Sequence, residues 1–205
     1  MKILNLYSGI GGNRKLWTDV EVTAVEFNPQ IAAIYQDFFP DDKVVVGDAH
    51  QYLLDHFGEF DFIWTSPPCP THSRMNLLSN VQEGKSVKYP DMMLYQEIIY
   101  LKYWFKGKFC VENVISYYDP LIYPIESDSH YFWTNFHFTP WKNSKRGILK
   151  RKDADEWREK DMGFDLSSFE ITKTLRKKVI NNCVEPELGL HIFNESKIEQ
   201  QSQLF

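Results

Sequence analysis

A cysteine set among prolines is the residue of this sequence whose surroundings most suggest chemistry. Thr65-Ser66-Pro67-Pro68-Cys69-Pro70 places three prolines around one thiol. Each proline fixes its own φ, so the thiol is held on a stiff corner. A structural cysteine behaves as a small apolar residue and has no need of such rigidity. Further along stands Glu112-Asn113-Val114; a glutamate on the same edge as a cysteine makes a nucleophile and acid pair. A third group opens the chain. Gly9, Gly11 and Gly12 directly follow an apolar run, so the backbone there can turn tightly and approach a ligand. The dinucleotide fingerprint wants its third glycine where Arg14 stands, and the phosphate loop GxxxxGK[ST] is absent. Glu26 closes the next apolar run, where a carboxylate can accept hydrogen bonds from both hydroxyls of a ribose. Phe27 can pack on an adenine ring and Asp48 can accept from an adenine amino group. Each has a plainer alternative: a structural turn, a core phenylalanine, a turn aspartate, a surface glutamate. Together they describe a nucleoside site without a phosphate grip, as S-adenosylmethionine needs.

The elements that must position these residues alternate. Lys2 to Tyr7, Val20 to Glu26, Lys43 to Val46, Phe60 to Thr65 and Lys108 to Val111 read as strands. Helices fall between them, through Ile31 to Phe38 and over Met92 to Phe105. That rhythm predicts a parallel, doubly wound α/β sheet. The polar and special residues cluster after the strand ends, the edge where such sheets bind ligands. From His130 the texture changes: His130 to Phe138 is aromatic and reads as a strand, and the basic stretch after it reads as irregular. Glu187 to Phe193 reads as a short helix, and the polar tail KIEQQSQLF as frayed.

Bulk properties bound the function without naming it. At 205 residues the chain has room for one α/β domain with a buried core, expected to span residues 1–205. The start MKILNLYSGIGG reads as a strand and not a signal peptide, and no apolar run approaches membrane-spanning length. Three widely spaced cysteines, Cys69, Cys110 and Cys183, argue against a disulfide framework or a zinc site. The expectation is a cytoplasmic protein with no metal. A net charge of −5 speaks mildly against a nucleic-acid partner. The runs Lys142 to Lys152 and Lys173 to Lys178 are basic, and the bland reading of such runs is a solvated face.

The motifs resemble the cytosine-C5 DNA methyltransferase family, in family order. LYSGIGG resembles its first motif, AVEFNP its second, GDAH its third, TSPPCPTHS its Pro-Cys motif and VENV its Glu-Asn-Val motif. Ile180 to Leu188 is similar to its last motif, which folds back to line the cofactor site. The resemblance implies a Rossmann-like, mostly parallel sheet of the S-adenosylmethionine-dependent methyltransferase type. It implies Cys69 as the nucleophile toward C6 of cytosine, Glu112 on N3 and the amino group, and Asn113 in support. Cofactor contacts would come from Tyr7, Ser8, Gly9, Gly11, Gly12, Glu26, Phe27, Asp48, Ala49, Pro67, Asn182 and Val184. Substrate contacts would come from Pro68, Ser73, Arg74, Val114 and His130, with Pro70 to Lys88 as a closing loop over DNA. The target base must be flipped out of the duplex to be reached.

Two departures stand out. The family's Gln-x-Arg-x-Arg stretch before the aromatic strand is replaced by Glu126, Asp128 and His130, with His130, Arg74 or Arg146 as substitutes. The target-recognition region is reduced to residues 139–179, with 180–193 left for the closing motif. This size suits low sequence specificity or recognition borrowed from a partner subunit, as in reduced phage-encoded relatives and restriction-modification systems. The competing readings are a binding protein on a degenerate methyltransferase fold, an amino-group methyltransferase, and thiol chemistry on RNA, a nucleotide or another one-carbon donor. The amino-group enzyme is disfavoured because it wants an aromatic residue where Cys69 stands.

Overall fold

The computed structural model describes residues 1–86, 88–141 and 154–198. Among these, seven strands form one sheet: β1 (Lys2–Leu6), β2 (Glu21–Glu26), β3 (Lys43–Val46), β4 (Phe62–Thr65), β5 (Lys108–Val114), β6 (Ile125–Ser127) and β7 (His130–Thr134). Their order is β3-β2-β1-β4-β5-β7-β6, with β1 to β5 parallel and β7 antiparallel to both its neighbours. The expected doubly wound, mostly parallel sheet is therefore present. Its central strands are buried on both faces, as parallel strands are.

The strands sort their side chains by alternation. Leu4, Leu6, Ile63, Phe109, Val111 and Trp133 point to one face, under α2 (Ala49–His56) and α4 (Met93–Trp104). Ile3, Phe62, Trp64, Cys110 and Phe132 point to the other, under α7 (Pro186–Ser196). A third cluster joins α1 (Pro29–Phe38) to α6 (Lys173–Asn181) through Ile31, Ile34, Val179 and Ile180. Side-chain caps start several helices where strands have just ended: Asn28 accepts from Gln30 N and Ile31 N, and Asp48 accepts from Gln51 N at 3.1 Å. Each satisfies backbone donors that the first turn leaves unpaired.

Several expectations are corrected. β5 does not stop at Val111 but runs on through Val114, so Glu112 and Asn113 lie within the strand and face opposite sides. The aromatic strand ends at Thr134, where Asn135 turns the chain by accepting from Phe109 N at 3.1 Å and donating to Gly107 O at 2.8 Å. The segment Pro70 to Lys88, expected as a loop, contains α3 (Arg74–Gln82). The stretch expected to be irregular contains α5 (Ala154–Asp161) and α6. Within it, Arg176 pairs with the buried Glu159 at 2.7 Å, so part of the basic run has a structural use. The run Lys142 to Lys152, with Arg146, and most of the tail lie outside the described residues.

Candidate active site

The site is built where β1, β2, β4 and β5 end. After β1 the chain makes a series of turns in place of the helix that a phosphate-binding fold would open. Tyr7 at φ 53° and Gly9 at φ 55° are both left-handed. For the non-glycine residue this costs on the order of 1–3 kcal/mol and persists only when its surroundings hold it. Here the Tyr7 hydroxyl donates to Glu97 Oε1 at 2.7 Å. The position the fingerprint reserves for glycine has a different use: Arg14 Nε and a terminal nitrogen reach Asp42 at 2.9 and 3.0 Å, tying the turn to the start of β3.

Glu26 holds the turn from the side. Oε2 accepts from Gly9 N at 3.1 Å and Oε1 from Asn28 N at 2.9 Å. A carboxylate has about four acceptor sites, so capacity for a diol remains. Beyond Gly9 there is open space. Ser8 Oγ is buried without a hydrogen-bond partner, a donor lacking its acceptor at the edge of that space. Phe27 is 77% exposed, so the alternative of a core phenylalanine is excluded. Asp48, expected at the adenine, uses one oxygen to cap α2 and stays exposed; Ala49 beside it is buried.

The last motif does come back to this edge. A Cβ on Gly12 would collide with Cys183 Sγ and the Val184 carbonyl, and one on Gly189 would meet the Asn13 backbone. Trp17 Nε1 also donates to Gly189 O at 3.2 Å. Val184 is buried in this contact, whereas Asn182 is exposed and closes α6.

The proline corner is pinned to β5. Asn113, wholly buried, donates from Nδ2 to Pro67 O at 2.9 Å, and its Oδ1 accepts from Val114 N. Pro67 is buried, Pro68 exposed and Cys69 half-buried. Beyond the corner the chain docks on the stretch after β5. Tyr117 N donates to His72 O at 3.1 Å, Arg74 Nε donates to Ser116 O at 2.8 Å, and His72 Nδ1 meets the Tyr118 hydroxyl at 2.6 Å. Ser73 caps α3 through Asn76 N. Thus Ser73 and Arg74, expected on a closing loop, hold the start of a helix in place.

Glu112 is buried on the opposite face of β5 from Asn113. Its neighbour is set by register. Val114 pairs with His130 and Glu112 with Phe132, which puts His130 diagonal to Glu112, Nε2 to Oε1 at 3.7 Å. His130 Nδ1 is buried and unpartnered. The Cys69 thiol is pushed above the usual thiol range, first by burial and second by the negative charge of Glu112. The two groups named first in the sequence therefore feel each other. Sequence reading missed Glu97: it is a lone acid in the apolar helix MLYQEIIYL, and that isolation was the available signal.

No curated protein matches the chain in sequence. The family model described as C-5 cytosine-specific DNA methylase matches residues 1–116. Among solved structures, a methyltransferase of Entamoeba histolytica superposes with a TM-score of 0.58 over 96% of this chain and 97% of its own, at 11% identity. That likeness is one of fold. DNMT2 of Spodoptera frugiperda is 27% identical over 55% of this chain and 35% of its own, with a TM-score of 0.39.

Proposed function

The chain belongs to the C-5 cytosine-specific DNA methylase family, and from that premise we propose that it methylates C5 of a flipped-out cytosine in DNA through a covalent bond from Cys69 to C6. The observation that carries this is that adjacent parallel strands β4 and β5 bring the Cys69 corner and Glu112, distant in sequence, to one sheet edge, tied by Asn113 Nδ2 to Pro67 O at 2.9 Å, beside an open glycine turn. S-adenosylmethionine would supply an electrophilic methyl group. The residues present fit its nucleoside: Glu26 for the ribose, Phe27 for the adenine face, Asp48 for the amino group, with Ser8 Oγ and the Gly9 turn toward the amino-acid end.

The chain's own part follows from charge. In the free protein the Glu112 carboxylate disfavours a nearby thiolate. A proton shared between Glu112 and N3 of cytosine removes that repulsion as the base arrives, so thiolate formation is coupled to substrate. Sγ then bonds to C6, and the displaced electron pair at C5 takes the methyl group, leaving S-adenosylhomocysteine. Loss of the C5 proton to a base or water returns the pair to the ring and expels Sγ from C6. Asn113 fixes the distance between corner and strand throughout. His130 stands diagonal to Glu112, in the absence of the two arginines expected at positions 128 and 130.

The remaining assignments are part of the same reading: one methyltransferase domain over 1–205, with residues 139–179 as a reduced recognition region. α3 presents Met75, Leu78 and Val81 exposed beside the site, suited to contact with unstacked bases. Labelled S-adenosylmethionine and cytosine-containing DNA, with Cys69→Ser alongside, test it. Wild type should transfer label to C5 and trap as an adduct on 5-fluorocytosine DNA, and Cys69→Ser should do neither while still binding cofactor. Cofactor binding without transfer would favour the binding-protein reading that the missing arginines suggest, and label appearing on RNA would move the acceptor.

A further inference from the structure

One carboxylate below the carboxyl edge has no part in the steps above. Glu97 lies on the inner face of α4 with no exposed surface, among Leu94, Ile98 and Leu101. Oε1 accepts from the Tyr7 hydroxyl at 2.7 Å and meets His50 Nδ1 at 3.0 Å, and Oε2 accepts from Thr65 Oγ1 at 2.7 Å. These partners are not scattered. Tyr7 immediately precedes Ser8 and Gly9, His50 follows Asp48 and Ala49, and Thr65 leads into Ser66-Pro67-Pro68-Cys69. A buried ionised carboxylate is costly unless its oxygens are hydrogen-bonded and its charge is matched. The bonds are made here by three separate segments, and His50 is the partner that matches the charge when protonated.

We propose that Glu97 is a positioning residue that locks the cofactor edge and the nucleophile corner into one register, with protonated His50 as its counter-ion. The cofactor half of this inference rests on the function proposed above. Its consequence is a dependence on pH. The groups acting on His50 are Glu97 from α4, Asp48 at the start of its own helix and Asp91 before α4; Tyr7 of the β1 turn shares Oε1. The hydrogen bond that His50 donates to Glu97 leads in holding the imidazole above its usual value, against burial, which lowers it. The charged pair is therefore complete below that raised value and lost as pH rises through it. Cofactor affinity falls on the same limb.

The test reads both arms on the full chain: S-adenosylhomocysteine affinity by calorimetry against pH, and alkylation of Cys69 by iodoacetamide. Wild-type affinity should weaken several-fold as pH rises through the His50 titration, which is followed by imidazole NMR. His50→Gln should flatten that limb and leave alkylation unchanged. Thr65→Val should change the alkylation rate and keep the limb. Glu97→Gln, which preserves volume, should do both. A Glu97→Gln protein that keeps the wild-type limb, or the wild-type alkylation rate, overturns the inference. Should wild type bind no S-adenosylhomocysteine at any pH, the proposed function falls instead. The pairing itself is then judged by NMR, where a His50 titration unmoved by Glu97→Gln overturns it.

Discussion

At the scale of single residues, the thiol of Cys69 is restrained by its surroundings. Burial and the Glu112 charge both raise its pKa, so alkylation of the free protein should accelerate with pH beyond the range of an ordinary cysteine. Glu112→Gln removes one of the two causes, the pKa falls, and the thiolate fraction at neutral pH rises. Alkylation should therefore be faster in Glu112→Gln while methyl transfer is lost. Mass mapping will read Cys69 alone in the native protein, because Cys110 and Cys183 are buried and the Cys183 thiol is pushed up to about 12. His130 is tested by rate: without it the Glu112 carboxyl loses its diagonal imidazole neighbour, and His130→Ala should lower kcat about tenfold, ~1.4 kcal/mol, with little change in KM. Cys69, Glu26 and the glycines stood out because they follow or close strands, whereas Glu112 was expected at a strand end and lies within β5. His130 was legible only as a substitute for missing arginines, and its diagonal to Glu112 needed the strand register.

At the scale of elements, the site depends on how β5 is tied to the corner after β4. Asn113→Ala removes the donor to Pro67 O and leaves that carbonyl unpaired in a buried place. A loss of about 1–3 kcal/mol follows, read by thermal unfolding as roughly 2–4 °C per kcal/mol for a chain of this size. The period-2 and helical patterns disclosed β1 to β4 and the helix over Met92 to Phe105 within a residue or two, but misplaced the ends of β5 and β7 and left β6 and α2 unread. They failed at α3, α5 and α6 for identifiable reasons. α3 buries none of its residues, so its sequence carries no apolar stripe. α5 and α6 are held by Glu159 to Arg176 and by a short apolar end, Val179 and Ile180, inside a run that reads as surface charge.

At the scale of the molecule, the cofactor edge is made from both ends of the described chain. Gly189 sits in α7 against the Asn13 backbone, where an added Cβ would come within 2.6 Å of Cα. Alanine is the better helix former by up to about 1 kcal/mol. A clash with immobile backbone, however, costs about 1–3 kcal/mol. The clash should win, so Gly189→Ala is expected to lower the thermal midpoint and weaken S-adenosylhomocysteine together, measured by calorimetry on one sample. Sequence order placed 180–193 as a closing motif; only the fold shows that its closure runs through Gly12, Cys183, Val184 and Gly189.

That closure has a consequence in time. A ribosome makes the glycine turn within the first dozen residues, yet its covering partners emerge only once Cys183 to Gly189 have been made. The contacts span most of the chain, the slow kind to form. A nascent or prematurely terminated product would already carry Cys69 and Glu112 but lack the part of the wall that Cys183 to Gly189 supply. Translation order thus acts as a completeness check: the Cys69 and Glu112 side chains exist early, and the wall behind the glycine turn is finished last.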